Sequence, residues 1–190
     1  MDENAMFLSA FIKNPKEIGS VIPSSRFLVK ELIRSIDFKS AKCIVEYGPG
    51  TGCVTKEILK RAGKDCKLIC FEINRKMHSH LLRNIKDERM VLINDSAENV
   101  KNHLSRLGIG KVDYIVSGIP FSNLPKNKKY SIVKETERNL KNGGKFMLYQ
   151  YFTNFKAHLR SSFSKISTSF MPLNIPPCFV HVCEKQAHEN

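Results

Sequence analysis

Short apolar runs alternate with amphipathic stretches along most of the chain beyond residue 40. Runs of roughly four to eight apolar residues separated by helical periodicity are typical of parallel strands joined by crossover helices. The pattern predicts strands near residues 42–47, 67–72, 89–94, 112–117 and 144–151. It predicts helices between them near residues 52–62, 75–86, 97–107 and 128–141. The chain is therefore expected to form an α/β fold with a largely parallel sheet.

The segment after residue 151 follows a different pattern. A helix is predicted near residues 154–162, followed by strands near 164–171 and 178–184. Prolines 172, 176 and 177 separate these two strands, and so short a link predicts an antiparallel hairpin at the edge of the sheet. The run Asn142-Gly143-Gly144 suits positive φ and is expected to end the helix near 128–141.

Two helices are expected ahead of the sheet, in residues 1–40. The first carries an apolar face made of Met6, Phe7, Leu8, Phe11 and Ile12. It either packs over the sheet, closes over a substrate as a lid, or lies at a membrane interface. The second follows Pro23, with Ser24 or Ser25 as its N-cap. Its inward-facing residues are predicted to be Phe27, Leu28, Leu32, Ile33 and Ile36.

The charge balance points to a polyanionic partner. The 190 residues include 31 Lys and Arg against 18 Asp and Glu, which gives a formal net charge of +13. Such an excess favours an anionic membrane surface or a nucleic acid. The length suits one domain spanning residues 1–190, with an N-terminal helical extension over 1–40 and an α/β core over 41–185.

Cysteine usage and the N-terminus bear on the compartment. The six cysteines form no C-x-x-C pair and have no histidine at metal-ligand spacing, so we expect reduced structural thiols and no metal. No apolar run reaches the roughly 20 residues that a transmembrane helix needs. Asp2 and Glu3 do not resemble the start of a secretory signal. We expect a cytoplasmic protein, with peripheral binding at the inner face of the membrane left open.

The first predicted strand ends in a glycine-rich turn. Glu46 is followed by glycines at the alternate positions Gly48, Gly50 and Gly52. These glycines let the backbone turn sharply and approach a ligand closely. The spacing is neither that of the phosphate loop nor that of the G-x-G-x-x-G dinucleotide motif.

This turn and the order of elements resemble the class I S-adenosylmethionine-dependent methyltransferases. The resemblance implies their Rossmann-like, seven-stranded fold, here with an N-terminal helical extension, and S-adenosyl-L-methionine as cofactor. It also implies roles for residues at the strand ends. Glu46 would lie near the methionine ammonium group, Glu72 would bind the ribose hydroxyls, and Ile73 would flank the adenine. The glycine turn would cup the amino-acid end of the cofactor.

The end of the third strand supplies the remaining cofactor positions. The resemblance implies that Asp95 binds the adenine amino group, assisted by Ser96 or the backbone of Ala97. Asp95 or Ser96 could also cap the helix that follows, and the two roles are compatible.

The fourth strand runs into a loop that selects the acceptor in this fold. Its sequence Ser117-Gly118-Ile119-Pro120, followed by Leu124-Pro125, resembles bacterial phospholipid N-methyltransferases. It is also close to the Asn-[Ile/Leu]-Pro-[Tyr/Phe] motif of enzymes that dimethylate adenine in ribosomal RNA. Gly118 stands where those enzymes carry the Asn whose side-chain oxygen holds the adenine amine.

The resemblance implies N-methylation of the amino headgroup of a phosphatidylethanolamine-type phospholipid. Methylation of rRNA adenine N6, or of a small-molecule or peptide amine, remains the alternative. The carbonyls of Gly118 and Ile119 at the Pro120 bend, with Ser117, would hold the amine, and Ser117 would also contact the cofactor. Tyr149 or Tyr151 would accept a proton or make a cation–π contact, although both also suit a core position.

Overall fold

The computed structural model describes residues 25–151, 155–174 and 176–186, and within them one sheet contains seven strands. The strands are β1 (Cys43–Tyr47), β2 (Lys67–Phe71), β3 (Met90–Ile93), β4 (Val112–Ser117), β5 (Leu140–Gln150), β6 (Lys165–Met171) and β7 (Cys178–Glu184). The helices are α1 (Arg26–Leu32), α2 (Cys53–Arg61), α3 (Arg75–Asn84), α4 (Val100–Arg106), α5 (Lys126–Asn139) and α6 (Lys156–Leu159). Short 3₁₀ turns span Ala97–Asn99 and Phe121–Asn123.

The strand order is β3-β2-β1-β4-β5-β7-β6. Strands β1 to β5 are parallel, whereas β7 runs antiparallel to both β5 and β6. The predicted α/β fold and the edge hairpin are confirmed. Because β6 runs in the same direction as β1 to β5, its C-terminal end lies at the carboxyl edge of the sheet.

Both faces of the sheet are covered by helices. All five residues of β1 are buried, as expected for a central strand packed on both sides. Since side chains alternate along a strand, Ile44 packs with the residues of α1, α2 and α3. Its neighbour Val45 packs with those of α4, α5 and α6. The core therefore forms two apolar layers, one on each side of the sheet.

Helix α1 begins after Ser25, whose hydroxyl accepts a hydrogen bond from the Leu28 N–H at 3.2 Å, so this N-cap prediction is confirmed. Four of the five residues predicted to face inward are buried. Phe27 is 60% exposed, so the prediction was wrong for this residue. Phe27 is the second residue of the helix and points away from the sheet. The predicted helix carrying Phe11 lies outside the described residues.

The end of α5 differs from the prediction. The helix stops at Asn139, and the run Asn142-Gly143-Gly144 lies inside β5. Gly143 does have positive φ, at 73°, but it serves a bulge: the pairing of β4 with β5 slips between Val112 and Tyr114. The Gly143 N–H donates to the carbonyl of Lys185, which ties this bulge to the residue following β7.

Two other predicted helices are shorter in the structure. The helix predicted near 97–107 begins as the 3₁₀ turn Ala97–Asn99 before α4. The helix predicted near 154–162 corresponds to α6, which spans Lys156–Leu159.

Candidate functional site

The glycine turn joins β1 to α2 and requires glycine for conformational reasons. Gly48, Gly50 and Gly52 have φ values of 66°, 55° and 84°, a region that costs side-chain-bearing residues energy. A Cβ on Gly52 would also lie 2.8 Å from side-chain atoms of Leu81 and Ile85. The Gly48 N–H donates to the Phe71 carbonyl at 2.8 Å, which fixes the turn against the end of β2.

Glu72 follows β2 and connects the glycine turn to the neighbouring loop. Its Oε2 accepts from the Gly50 N–H at 3.1 Å, and its Oε1 accepts from the Asn74 N–H at 2.8 Å. The side chain of Asn94 donates to the Glu72 carbonyl at 2.7 Å. Each carboxylate oxygen retains acceptor capacity for a ligand hydroxyl. A carboxylate oriented in this way at a strand end fits the ribose of the predicted cofactor.

Asp95 is held by a side chain of the 3₁₀ turn that follows it and by a side chain of α4. His103 Nε2 lies 2.7 Å from Asp95 Oδ2, and the Asn99 side chain donates to both carboxylate oxygens. The bond to His103, followed by the bond from the Ser96 N–H, keeps the pKa of Asp95 below its ordinary value. Asp95 is therefore positioned as an anionic acceptor at the end of β3.

The neighbouring Ser96 behaves as a cap. Its hydroxyl accepts from the Glu98 N–H at 3.3 Å, which confirms the capping role that the sequence allowed. His103 was missed by sequence reasoning. The available signal was its position eight residues after Asp95, where α4 can turn back over the end of β3.

Glu46 lies behind the wall of the cleft. Its side chain is buried between the sheet and α2, and Cys70 Sγ donates to its Oε2 at 3.6 Å. Because side chains alternate along β1, this carboxylate points into the layer beneath the turn and does not line the cleft. Burial raises the pKa of Glu46 to about 7, partly offset by the proximity of Thr55 and by Cys70. The Thr55 hydroxyl is itself buried without a hydrogen bond of normal geometry.

The acceptor loop after β4 packs directly on the glycine turn. The Gly118 N–H donates to the Tyr47 carbonyl at 2.8 Å. A Cβ on Gly118 would lie 2.7 Å from the Gly48 carbonyl oxygen, closer than side chains approach a backbone. Ser117 is fully buried, and its hydroxyl accepts from the Ile119 N–H at 3.2 Å. Ser117 therefore shapes the loop from behind and does not line the cleft.

The carbonyl of Ile119 already has two donors. The Phe121 N–H and the Gln150 side-chain Nε2 each donate to it at 2.9 Å. Both lone pairs therefore have protein donors, and the contact of this carbonyl with an amine stays a prediction. Gln150, which sequence reasoning missed, ties the end of β5 to the acceptor loop.

The two tyrosines at the end of β5 occupy different positions. Tyr149 lines the cleft, and the Tyr151 ring meets it edge-on with centroids 6.0 Å apart. Tyr151 does not line the cleft, and burial followed by the proximity of Tyr149 raises its pKa. A raised pKa disfavours the phenolate, so Tyr151 is unsuited to accept a proton directly. A contact of Tyr149 with substrate stays a prediction.

These elements enclose a cleft of about 350 Å³ at the carboxyl edge of the sheet, a volume that suits a small-molecule ligand. The structure brings most of the predicted site residues to its walls: Gly48, Gly50, Glu72, Ile73, Asp95, Ser96, Ala97, Gly118, Ile119, Pro120 and Tyr149. Four do not line it: Glu46, Gly52, Ser117 and Tyr151. Lys128, which was not predicted, lies at the wall with its Nζ 3.4 Å from Glu98 Oε2.

Two properties of the structure bear on the class of site. Over residues 25–151, 155–174 and 176–186, no three His, Cys, Asp or Glu side chains converge as metal ligands would. In the same part of the chain, no helix combines the length and apolarity that a membrane crossing requires.

Comparison with known proteins agrees with this geometry. A family model described as a methyltransferase domain matches residues 44–144, more than half of the chain. The ornithine lipid N-methyltransferase of Singulisphaera acidiphila is 28% identical over 186 residues, which cover 96% of each chain. The ribosomal RNA small subunit methyltransferase H of Christiangramia forsetii is 29% identical over 134 residues, or 68% of this chain and 43% of that protein.

The fold is also found among solved structures. The N-methyltransferase NodS from Bradyrhizobium japonicum superposes with a TM-score of 0.68 at 10% identity, over 85% of this chain and 96% of that one. At so low an identity the likeness concerns the fold alone.

Proposed function

The chain belongs to the methyltransferase-domain family and is an S-adenosylmethionine-dependent methyltransferase, and we propose that it methylates the amino headgroup of a membrane lipid. The headgroup is of the phosphatidylethanolamine type or of the ornithine-lipid type. Both present a primary aliphatic amine, whose free base is nucleophilic without further activation. Similarity to the ornithine lipid enzyme along nearly the full length of both proteins supports this substrate class.

The observation that carries the proposal is the contact between Gly118 and Gly48. An enzyme acting on adenine needs a side-chain oxygen to orient an amine whose lone pair is delocalised into the ring. No side chain fits at Gly118 without displacing the Gly48 carbonyl, which would lie only 2.7 Å away. The acceptor loop therefore favours an amine that needs only orientation and loss of a proton.

The residues at the cleft fit the cofactor. Glu72 would accept hydrogen bonds from its ribose, Asp95 lies at the wall where its adenine would bind, and the glycine turn would leave room for its amino-acid end. When bound, S-adenosylmethionine supplies a methyl group bonded to a sulfonium sulfur. That sulfur is already activated as the leaving group. The chain's own contribution is then alignment of the amine and exclusion of water by Ile119, Pro120 and Leu124.

The loop that follows β4 also limits how the amine is held. Because the Ile119 carbonyl already has two donors, other groups at the Pro120 bend and the Tyr149 ring would share in orienting the amine. A tyrosine face stabilises the methylated ammonium product by a cation–π contact.

A direct test offers three acceptors side by side. Vesicles containing phosphatidylethanolamine, vesicles containing ornithine lipid, and RNA of the small ribosomal subunit are each incubated with donor carrying a radiolabelled methyl group. We expect label in extracted lipid, and the lipid that is labelled identifies the headgroup. Label in RNA with none in lipid would favour rRNA methylation, the alternative supported by the partial match to the ribosomal RNA enzyme. Label in neither lipid would overturn the proposal.

Matched glycine variants show whether any label depends on this site. In Gly52→Val the new side chain meets Leu81 and Ile85 and the backbone is strained, so cofactor binding and label should both disappear. Gly63 lies outside the turn, and a Cβ added there would meet no atom within 4 Å. Gly63→Ala should therefore retain both.

A further inference from the structure

Large apolar side chains project from the end of β6 and the residues that follow it. Phe170 is 55% exposed and Leu173 is 71% exposed, and Pro172 between them is also exposed. The Phe170 ring packs against the Phe179 ring, with centroids 5.0 Å apart and planes inclined by 37°. We call Phe170, Pro172 and Leu173 the apolar turn. Exposure of such residues in one short segment is typical of an interaction surface.

The apolar turn lies at the same edge of the sheet as the cleft. Phe170 pairs with Phe179, which in turn pairs with Gln150 at the end of β5. Two strand spacings of about 4.8 Å place Phe170 roughly 10 Å from Gln150. Gln150 donates to the acceptor loop, so the apolar turn is close to the cleft into which a lipid headgroup would pass.

Hydrogen bonds of Asn174 restrain the backbone beside the apolar turn. Asn174, which follows it, is buried, and its side chain donates to the Pro176 carbonyl at 2.8 Å. The Asn174 N–H donates to the Met171 carbonyl at 3.4 Å. This restraint lowers the backbone entropy lost when the turn enters another phase.

Exposed basic residues lie at the same edge of the sheet. Arg75 and Lys76 begin α3 just after β2, and Lys126 and Lys128 begin α5 after the acceptor loop. All four residues are exposed. Each cation near an anionic bilayer adds about 1 kcal/mol of attraction. Cations at the same edge of the sheet as protruding aliphatic side chains suit a bilayer better than a nucleic acid, since phosphate contacts and base stacking would not use Leu173.

We infer that the apolar turn inserts into an anionic lipid bilayer while the basic residues of the carboxyl edge contact its headgroups. This surface would hold the cleft against the membrane from which the substrate is drawn. The inference rests on the proposed function, because it supplies the orientation that methylation of a membrane lipid requires.

The test measures binding of the full chain to vesicles by co-sedimentation, without any methylation. Vesicles contain phosphatidylcholine alone or phosphatidylcholine with one third phosphatidylglycerol. We expect at least tenfold tighter binding to the anionic vesicles. Leu173→Asp should weaken that binding about tenfold, because a charge replaces an apolar side chain in the hydrocarbon. Affinity for S-adenosylmethionine, measured by calorimetry, should stay within twofold.

A matched variant shows whether any exposed leucine would give the same result. Leu107 is 39% exposed and lies between α4 and β4. It is therefore at the edge where the parallel strands begin, opposite the edge that carries the cleft. Leu107→Asp should bind anionic vesicles within twofold of the unaltered protein. Equal loss in the two variants, or unchanged binding of Leu173→Asp, would overturn the inference. Equal binding to neutral and anionic vesicles would also overturn it.

Methylation of lipid dispersed in detergent separates this inference from the proposed function. If lipid in micelles is methylated but Leu173→Asp binds vesicles normally, the surface is wrong and the function stands. If Leu173→Asp loses vesicle binding but no lipid is methylated in either form, the surface stands and the proposed substrate is wrong.

Discussion

Glu46 is a carboxylate whose burial makes the stability of the folded chain depend on pH. Its pKa is raised to about 7 from an ordinary value of 4.5, mainly because the side chain is buried. Between these values the folded protein retains a proton that the unfolded chain has released. The free energy of unfolding therefore falls as pH rises through this window.

We predict that Glu46→Gln removes this dependence. Relative to the unaltered protein, the variant should gain on the order of 3 kcal/mol of unfolding free energy between pH 4.5 and pH 8. Urea unfolding at a series of pH values measures the difference. Glu88→Gln, which alters an exposed carboxylate, should give no such trend. Parallel curves for Glu46→Gln and the unaltered protein would show that Glu46 titrates normally.

For single residues, the sequence predicts where a side chain lies better than it predicts the hydrogen-bond partners of that side chain. Glu72 and Asp95 could be placed because each directly follows a strand, and carboxyl ends of parallel strands meet at one edge. Gln150 and His103 could not be assigned, since their contacts depend on which strand and helix happen to lie beside them. The burial of Glu46 could not be predicted, because a resemblance fixes its place in a motif without fixing the face of β1 on which it lies.

At the scale of elements, apolar runs identified all seven strands because each is bounded by polar or turn-forming residues. The start of β5 was missed for a physical reason. Asn142, Gly143 and Gly144 are typical of a helix end, but the strand accommodates them in a bulge stabilised by pairing with the residues after β7. Such long-range pairing leaves no local signal in the sequence.

Gln150 couples two elements, and its loss should affect catalysis more than cofactor binding. In Gln150→Leu the Ile119 carbonyl loses one donor, and the acceptor loop loses its attachment to β5. We predict a fall of about tenfold in kcat, because small displacements of the reacting groups are costly. Affinity for S-adenosylmethionine should change less than twofold. Steady-state kinetics and calorimetry measure the two quantities.

Met147→Leu provides a comparison from the same strand. Met147 is fully buried, and this exchange conserves volume in the core, so kcat should be retained. If both variants lose kcat equally, the effect of Gln150 is a general loss of packing and not a role in positioning the loop.

The distribution of charge over the whole molecule implies a dependence on salt. The net charge is +13, and Arg75, Lys76, Lys126 and Lys128 are exposed at the edge that carries the cleft. Raising the ionic strength from about 0.05 M to about 0.5 M should slow methylation of lipid in anionic vesicles at least fivefold, because exposed charges are screened. Methylation of the same lipid in neutral micelles should change less than twofold. An equal response in both would contradict a role for surface electrostatics.

The position of β1 in the middle of the sheet has a consequence for synthesis of the chain. Ile44 pairs with Leu68 on one side and with Tyr114 on the other, so the second partner leaves the ribosome much later than the first. Until β4 has been synthesised, β1 to β3 form a partial sheet in which one side of the apolar strand β1 is unpaired. Nascent chains and fragments that stop before residue 112 are therefore the forms most prone to aggregate, and the forms on which chaperones would act.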